Sequence, residues 1–178
     1  MDLAASVGEY EISLSDLQSK VDSIIAERSK VDTSQMQLEM GSDLTRSQLS
    51  FLISNQIIEE VAKDEGIEIT DSAVESYRLN VLQNIGGEAM LPNVLVNAGI
   101  APDSLNDVLR RDLIIQKISA SAQANGADDA AINQLIQKLV TEKATALKIE
   151  VNPRYGTWDS ETFAIVATEP AGDAVTNN

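Results

Sequence analysis

The chain contains neither histidine nor cysteine. Without histidine it has no side chain whose ordinary pKa lies near neutrality, so the commonest general base and the commonest metal ligand are both missing. Without cysteine there is no thiol nucleophile, no thiolate for zinc and no disulfide framework. That absence does not fix the redox compartment, because a well-cored domain of this size needs no disulfide even where one could form. Aromatic residues make up only 3%, so the interior must be assembled from Leu, Ile, Val and Ala, which fill helix-on-helix contacts without polar atoms to satisfy. No apolar run reaches the roughly 18 residues that span a bilayer, and no charged region leads into an apolar leader core. Positive charge is scarce too: 13 Lys plus Arg stand against 28 Asp plus Glu, a net charge of -15. Such a field repels phosphate backbones, so nucleic acid is not an expected partner. The acidity reads either as a solvated surface or as a preference for basic partners.

What remains is 178 residues with 43% apolar content, enough for one core that buries roughly 70% of the surface of the unfolded chain. The first pattern has a period of two. Ser6 to Ser13 alternates apolar and polar residues around Gly8, which predicts a short strand or tight hairpin. The period then changes, with Leu14, Leu17, Val21, Ile24 and Val31 on one stripe behind Ser13 or Ser15 as cap. Residues 32–43 read as a loop or a frayed helical extension. Thr45 and Gln48 resemble a capping box for a second helix through Leu49, Leu52, Ile53, Gln56, Ile57 and Val61 to Gly66. Thr70 or Asp71 opens a third helix, ended by Gly86 and Gly87. A fourth, shorter helix carries Met90, Leu91, Val94, Leu95 and Ala98 before Gly99. Asp103 or Ser104 opens a fifth, with Leu109, Ile114 and Ile118 inward and Arg110 and Arg111 outward.

Ser119 to Ala131 is rich in Ala, Ser, Asn and Gly and predicts a joint. A sixth helix follows through Ile132, Leu135, Ile136, Leu139 and Val140, and residues 147–151 return to a period of two before Asn152 and Pro153. Two lone strands at opposite ends of a helical chain are unstable apart, so they should pair and bring the two ends together. The expected fold is mainly α: about six helices in one orthogonal helical domain, with a small two- or three-stranded sheet joining the N-terminal and C-terminal segments. Trp158 and Phe163 can dock from the tail beyond Tyr155, whereas Thr168 to Asn178 lacks apolar mass and is expected to be disordered.

Chemistry-bearing constellations are few. Carboxylates pair at Glu59–Glu60, Asp64–Glu65 and Asp128–Asp129, yet a catalytic dyad needs two such groups facing one pocket, and these fall on polar helix faces or beside small residues. There is no calcium loop, phosphate-binding glycine loop or Gly-x-Ser-x-Gly elbow. No catalytic site, cofactor or metal is therefore expected. Met36, Met40 and Met90 are flexible and polarizable, suited either to filling core gaps or to surfaces that accept varied apolar ligands. In the fourth helix Met90, Leu91, Val94, Leu95 and Val96 cover more of the circumference than one core-facing stripe requires. That helix is either sandwiched between neighbours or lines an apolar groove. On the second reading the ligand contacts are Met90, Leu91, Val94 and Leu95, joined by Met36 and Met40.

Three stretches carry a family likeness. The opening Ala5 to Leu17 is similar to a strand-turn-strand entry into a first helix. Ala62 to Thr70 resembles a helix end followed by a Gly-Ile-x-Ile-Thr step, and Lys148 to Trp158 resembles a strand with an Asn-Pro-Arg-Tyr-Gly ending. Together, over residues 4 to 158, the chain resembles the N-terminal domain of SurA-type and PrsA-type extracytoplasmic chaperones, especially short actinobacterial lipoprotein members. The resemblance implies a helical chaperone domain over residues 1–155 and a tail over 156–178. Many relatives insert a parvulin-type prolyl isomerase where this chain has only the 119–131 joint; residues 132–155 would be the returning helix and strand. Losing that insertion removes the family's one enzymatic activity and leaves a peptide-binding holdase for unfolded or extended exported polypeptides. The resemblance further implies a place in the cell envelope, touching the membrane only through a lipid anchor upstream of Asp2. The alternative is an envelope assembly or structural lipoprotein that binds one specific folded partner. Monomer and homodimer both fit the sequence.

Overall fold

A two-residue turn joins the first two strands of the computed structural model, which describes residues 3–168. β1 (Leu3–Val7) passes into β2 (Tyr10–Ser13) with Val7 opposite Tyr10. Gly8 takes φ +62 in that turn, which a Cβ would resist, and an added Cβ would also meet the Leu147 side chain at 3.3 Å. On the other side of β1 lies β3 (Ile149–Val151), antiparallel, with Ala5 opposite Val151. The sheet order is β2-β1-β3, so the two ends of the helical chain do meet in one small sheet.

Six helices fill the interval. α1 (Leu14–Arg28) starts where the Ser13 hydroxyl accepts the Asp16 N–H, and buries Leu17, Val21 and Ile24. Val31 lies past its end. α2 (Gly41–Asp64) begins four residues before Thr45, and no capping box forms. Thr45 instead donates back to the Gly41 carbonyl at 3.2 Å. The reason is tertiary: Leu44 is buried in a cluster with Val21, Ile24 and Ala101, so the turn that presents it is part of the helix. Behind it, Leu49, Ile53, Ile57 and Val61 form the spine of the main core, shared with Leu17, Ile114, Val140 and the buried face of the sheet. Gly66, at φ +64, ends the helix in the left-handed region.

α3 (Asp71–Ile85) is capped by Thr70, whose hydroxyl accepts the Ala73 N–H. A single 3-10 turn over Glu88–Met90 leads into α4 (Leu91–Ala98), which stops at Gly99. A second such turn over Pro102–Ser104 leads into α5 (Leu105–Ala124). α6 (Asp129–Leu147) is capped by Asp128 and packs back on α5. Most of the stretch expected as a joint is therefore helix, and only residues 125–128 connect the two. Alanine favours the helix, and the burial of Ile118 and Ala122 holds the last turns of α5 against the core.

One further expectation is corrected. Arg110 and Arg111 do not point outward: Arg110 Nε donates to Glu59 at 2.7 Å and its Nη1 to the Ile69 carbonyl at 2.8 Å, tying α5 to α2. Arg111 is half-buried, and that burial lowers its pKa. The tail is folded as far as Val166. β4 (Thr157–Asp159) and β5 (Ala164–Val166) form an antiparallel hairpin on α2. Ile165 is buried in the main core, with Trp158 and Phe163 packed beside it. Ser54 on α2 donates to the Phe163 carbonyl at 3.2 Å, and the Ile165 N–H donates to Ser50 at 2.8 Å. The expectation of disorder falls mainly on residues 169–178, which lie outside the described residues.

Next to Arg111, burial pushes the Asp112 carboxyl above its ordinary value, against the opposing pull of Arg111 and of the Tyr77 hydroxyl. A carboxyl whose folded-state pKa is raised costs stability once ionised. The cost is present at neutral pH, eases as pH falls through the folded-state pKa and is gone below the unfolded-state value. Asp112→Asn should therefore raise the urea midpoint at neutral pH, with the gain shrinking to nothing on acidification through that window. An unchanged midpoint at neutral pH would contradict it.

Candidate functional site

The surface folds inward where α4 ends against α2. Two adjoining cavities of about 190 Å³ and 90 Å³ share Ser47, Gln48, Ala98 and Gly99 as walls. The larger extends to Phe51, Ala101 and Ser104, and the smaller to Arg28, Leu38 and Glu39. The result is one groove from the middle of α2, past the end of α4, to the segment that precedes α2.

Its geometry follows from the way α4 terminates. Gly99, at φ +66, turns the chain, and the Gly99 and Ile100 N–H groups fold back onto the Val96 and Leu95 carbonyls. The Gly99 carbonyl accepts the Gln48 side-chain amide at 2.8 Å. Gln48 is buried at 4% exposure among the mostly apolar inward residues of α2, so its amide needs a partner, and this hydrogen bond pins α2 to the end of α4. Two polar atoms of the groove residues are sealed from solvent and unpartnered, Arg28 Nε and Ser104 Oγ. Arg28 Nη1 reaches only the Met40 sulfur, at 3.4 Å, a weak acceptor. Among the described residues Arg28 has no ion pair, although acids outnumber bases 28 to 13.

The six residues expected as ligand contacts divide three ways. Met90 at 45%, Val94 at 38% and Met40 at 69% are exposed. Leu91 and Met36 are half-buried. Leu95 is 5% exposed and belongs to the interior with Val96, so it leaves the contact set. The excess apolar circumference of α4 thus serves two faces: Leu95 and Val96 turn inward, while Met90 and Val94 turn outward. Steps of four residues place Met90, Val94 and Ala98 along one side of the helix, and Ala98 is a wall of the groove. Met90 and Val94 form an exposed apolar ridge in line with Ala98; neither of them lines the groove, and nor does Met40, which touches the groove residue Arg28.

Arg28, Gln48, Phe51 and Ser104 are absent from the sequence-based set. The one available signal was Gln48, a polar residue in register with the buried stripe of α2. The carboxylate pairs are otherwise engaged: Glu59 binds Arg110, Glu60 binds Lys63, Asp64 pairs with Lys143, and Asp128 caps α6. Among the described residues no three carboxylates converge as metal ligands, and no helix is long and apolar enough to cross a membrane.

Of 178 residues, 1–119 match the SurA-like N-terminal domain, from the first strand through most of α5. No curated protein and no solved structure matches the chain. The matched region contains every wall of the groove and the whole Met90–Val94 ridge, and the chain belongs to the SurA-like N-terminal domain family.

Proposed function

We propose that the chain is a chaperone-like module that holds extended or unfolded polypeptides in the groove at the end of α4, without prolyl isomerase or other enzymatic activity. The observation that carries this reading is an exposed apolar ridge, Met90 and Val94, in line on α4 with Ala98, a wall of the groove. The ridge offers contact without directional demands, which suits apolar side chains of many shapes. Arg28, half-buried and without an ion pair among the described residues, offers the outer N–H groups of its guanidinium to main-chain carbonyls, which every polypeptide presents. Ordering an extended segment offsets much of the burial gain, so binding is weak and exchanges fast, in about the micromolar range. The net charge of -15 keeps loaded complexes soluble and disfavours acidic clients. Family membership supports the chaperone role and a place outside the cytoplasm; attachment to the cell envelope through a lipid anchor is part of the same proposal.

The test is light scattering of several unrelated denatured proteins, with this chain in several-fold excess. Suppressed aggregation of most of them is the expected result. No protection of any client would sink the reading, and tight binding to a single folded partner would favour the envelope-assembly alternative.

A further inference from the structure

A second cleft lies at the opposite end of the sequence, between two sheet edges. It measures about 460 Å³; β3 contributes Ile149 and Val151, β4 contributes Thr157 and Trp158, and α6 contributes Ala144 and Thr145. β3 is an edge strand. The Asn152 N–H donates to the Ala4 carbonyl at 2.9 Å, and main-chain groups alternate sides along an antiparallel strand. Glu150 therefore also directs its main-chain groups at β1, opposite Ser6. By the same alternation the N–H and C=O groups of Ile149 and Val151 point away from β1, to the free edge. On the other wall, the indole N–H of Trp158 is buried and unpartnered.

We propose that this cleft takes an extended segment of another polypeptide as a fourth strand beside β3, recognised through its main chain. Two consecutive outward residues supply donors and acceptors at strand spacing, which fits a backbone and no particular side chain. Lys148 lines the same cleft and favours a neutral or acidic residue beside it. A second copy of this chain is the poorer occupant: a three-residue edge falls far short of a stable dimer interface, and each copy carries a charge of -15. The ligand class is shared with the proposed function but the site is not, so the two readings fail separately.

The probe is an acetylated, amidated hexapeptide of alternating valine and threonine, added to the full chain. In a two-dimensional amide spectrum it should shift Ile149, Val151 and the Trp158 indole while leaving Met90 and Val94 in place. Methylating every second peptide nitrogen leaves one clean edge and should preserve binding. Methylating all of them should weaken it at least about tenfold, because the edge hydrogen bonds are lost. Equal affinity of the fully methylated peptide would overturn the proposal. So would shifts confined to the α4 groove, an absence of binding, or self-association through β3 without peptide.

Discussion

A chain carrying Met90→Ser together with Val94→Ser is expected to lose most of its protection of unfolded clients while keeping nearly all of its stability. Both side chains stand at the surface, where single substitutions shift stability by about 0.5 kcal/mol or less, so the pair should cost no more than about 1 kcal/mol. Serine and valine also have similar helix propensities, so α4 itself should persist. The control is one residue away. Leu95 is 5% exposed, and Leu95→Ala removes a buried aliphatic side chain at a cost of about 2–5 kcal/mol. In a chain of this length each kcal/mol corresponds to roughly 2–4 °C in the thermal midpoint, so the two variants separate clearly on a melt. Client protection should fall in the stable double variant, and the Leu95 variant should protect as well as the parent below its own midpoint. A double variant that melts like the parent and protects like it would remove the α4 ridge from the binding surface.

The contrast between neighbours on α4 also marks how far a sequence can be read. Signals that act within one turn were legible. Gly66, Gly86 and Gly99 end their helices with positive φ, and Ser13 and Thr70 cap theirs. The pairing of the outer strands was legible because neither is stable alone. Signals that depend on distant residues were not. The start of α2 at Gly41 is set by the burial of Leu44 against Val21, Ile24 and Ala101, and nothing local to residues 41–44 announces it. Ser119 to Ala124 has the composition of a linker, and only its contact with the core makes it the end of α5. At the candidate site, the apolar surplus of α4 pointed to the right helix, but periodicity alone could not say which side faces water. Arg28, Gln48 and Ser104 meet only because α1, α2 and the end of α4 converge. The Gln48 to Gly99 hydrogen bond spans 51 residues. The hairpin after Tyr155 was missed for a related reason: its anchors, Ser50 and Ser54, look like ordinary surface serines until its backbone lies across them.

That hairpin can be released by one methyl group. Gly156 is buried with φ +118, and a Cβ added there would overlap the carbonyl of Val166, which pairs with Thr157 at the open end of the β4–β5 ladder. Gly156→Ala therefore combines backbone strain of about 1–3 kcal/mol with loss of the packing that buries Ile165, about 1.5–3 kcal/mol. The expected total is of order 3–5 kcal/mol, a large part of the roughly 5–15 kcal/mol that holds a domain together. Gly126→Ala separates the two contributions, because Gly126 also has a positive φ, +87, but an added Cβ there meets nothing within 4 Å; its cost should stay near about 1 kcal/mol. The reporter is built in. The chain's one tryptophan, Trp158, sits in β4 against the core, so detachment should move its fluorescence toward that of a solvated indole in Gly156→Ala and leave it unchanged in Gly126→Ala. If helical circular dichroism survives while the tryptophan signal moves, the hairpin is a separable cover on α2. If both are lost at one urea midpoint, the cooperative domain runs through Val166, beyond the family match that ends at residue 119. Equal midpoints for the two alanine variants, with no change in fluorescence, would refute the collision at Val166 and with it the tight closure of the hairpin on Gly156.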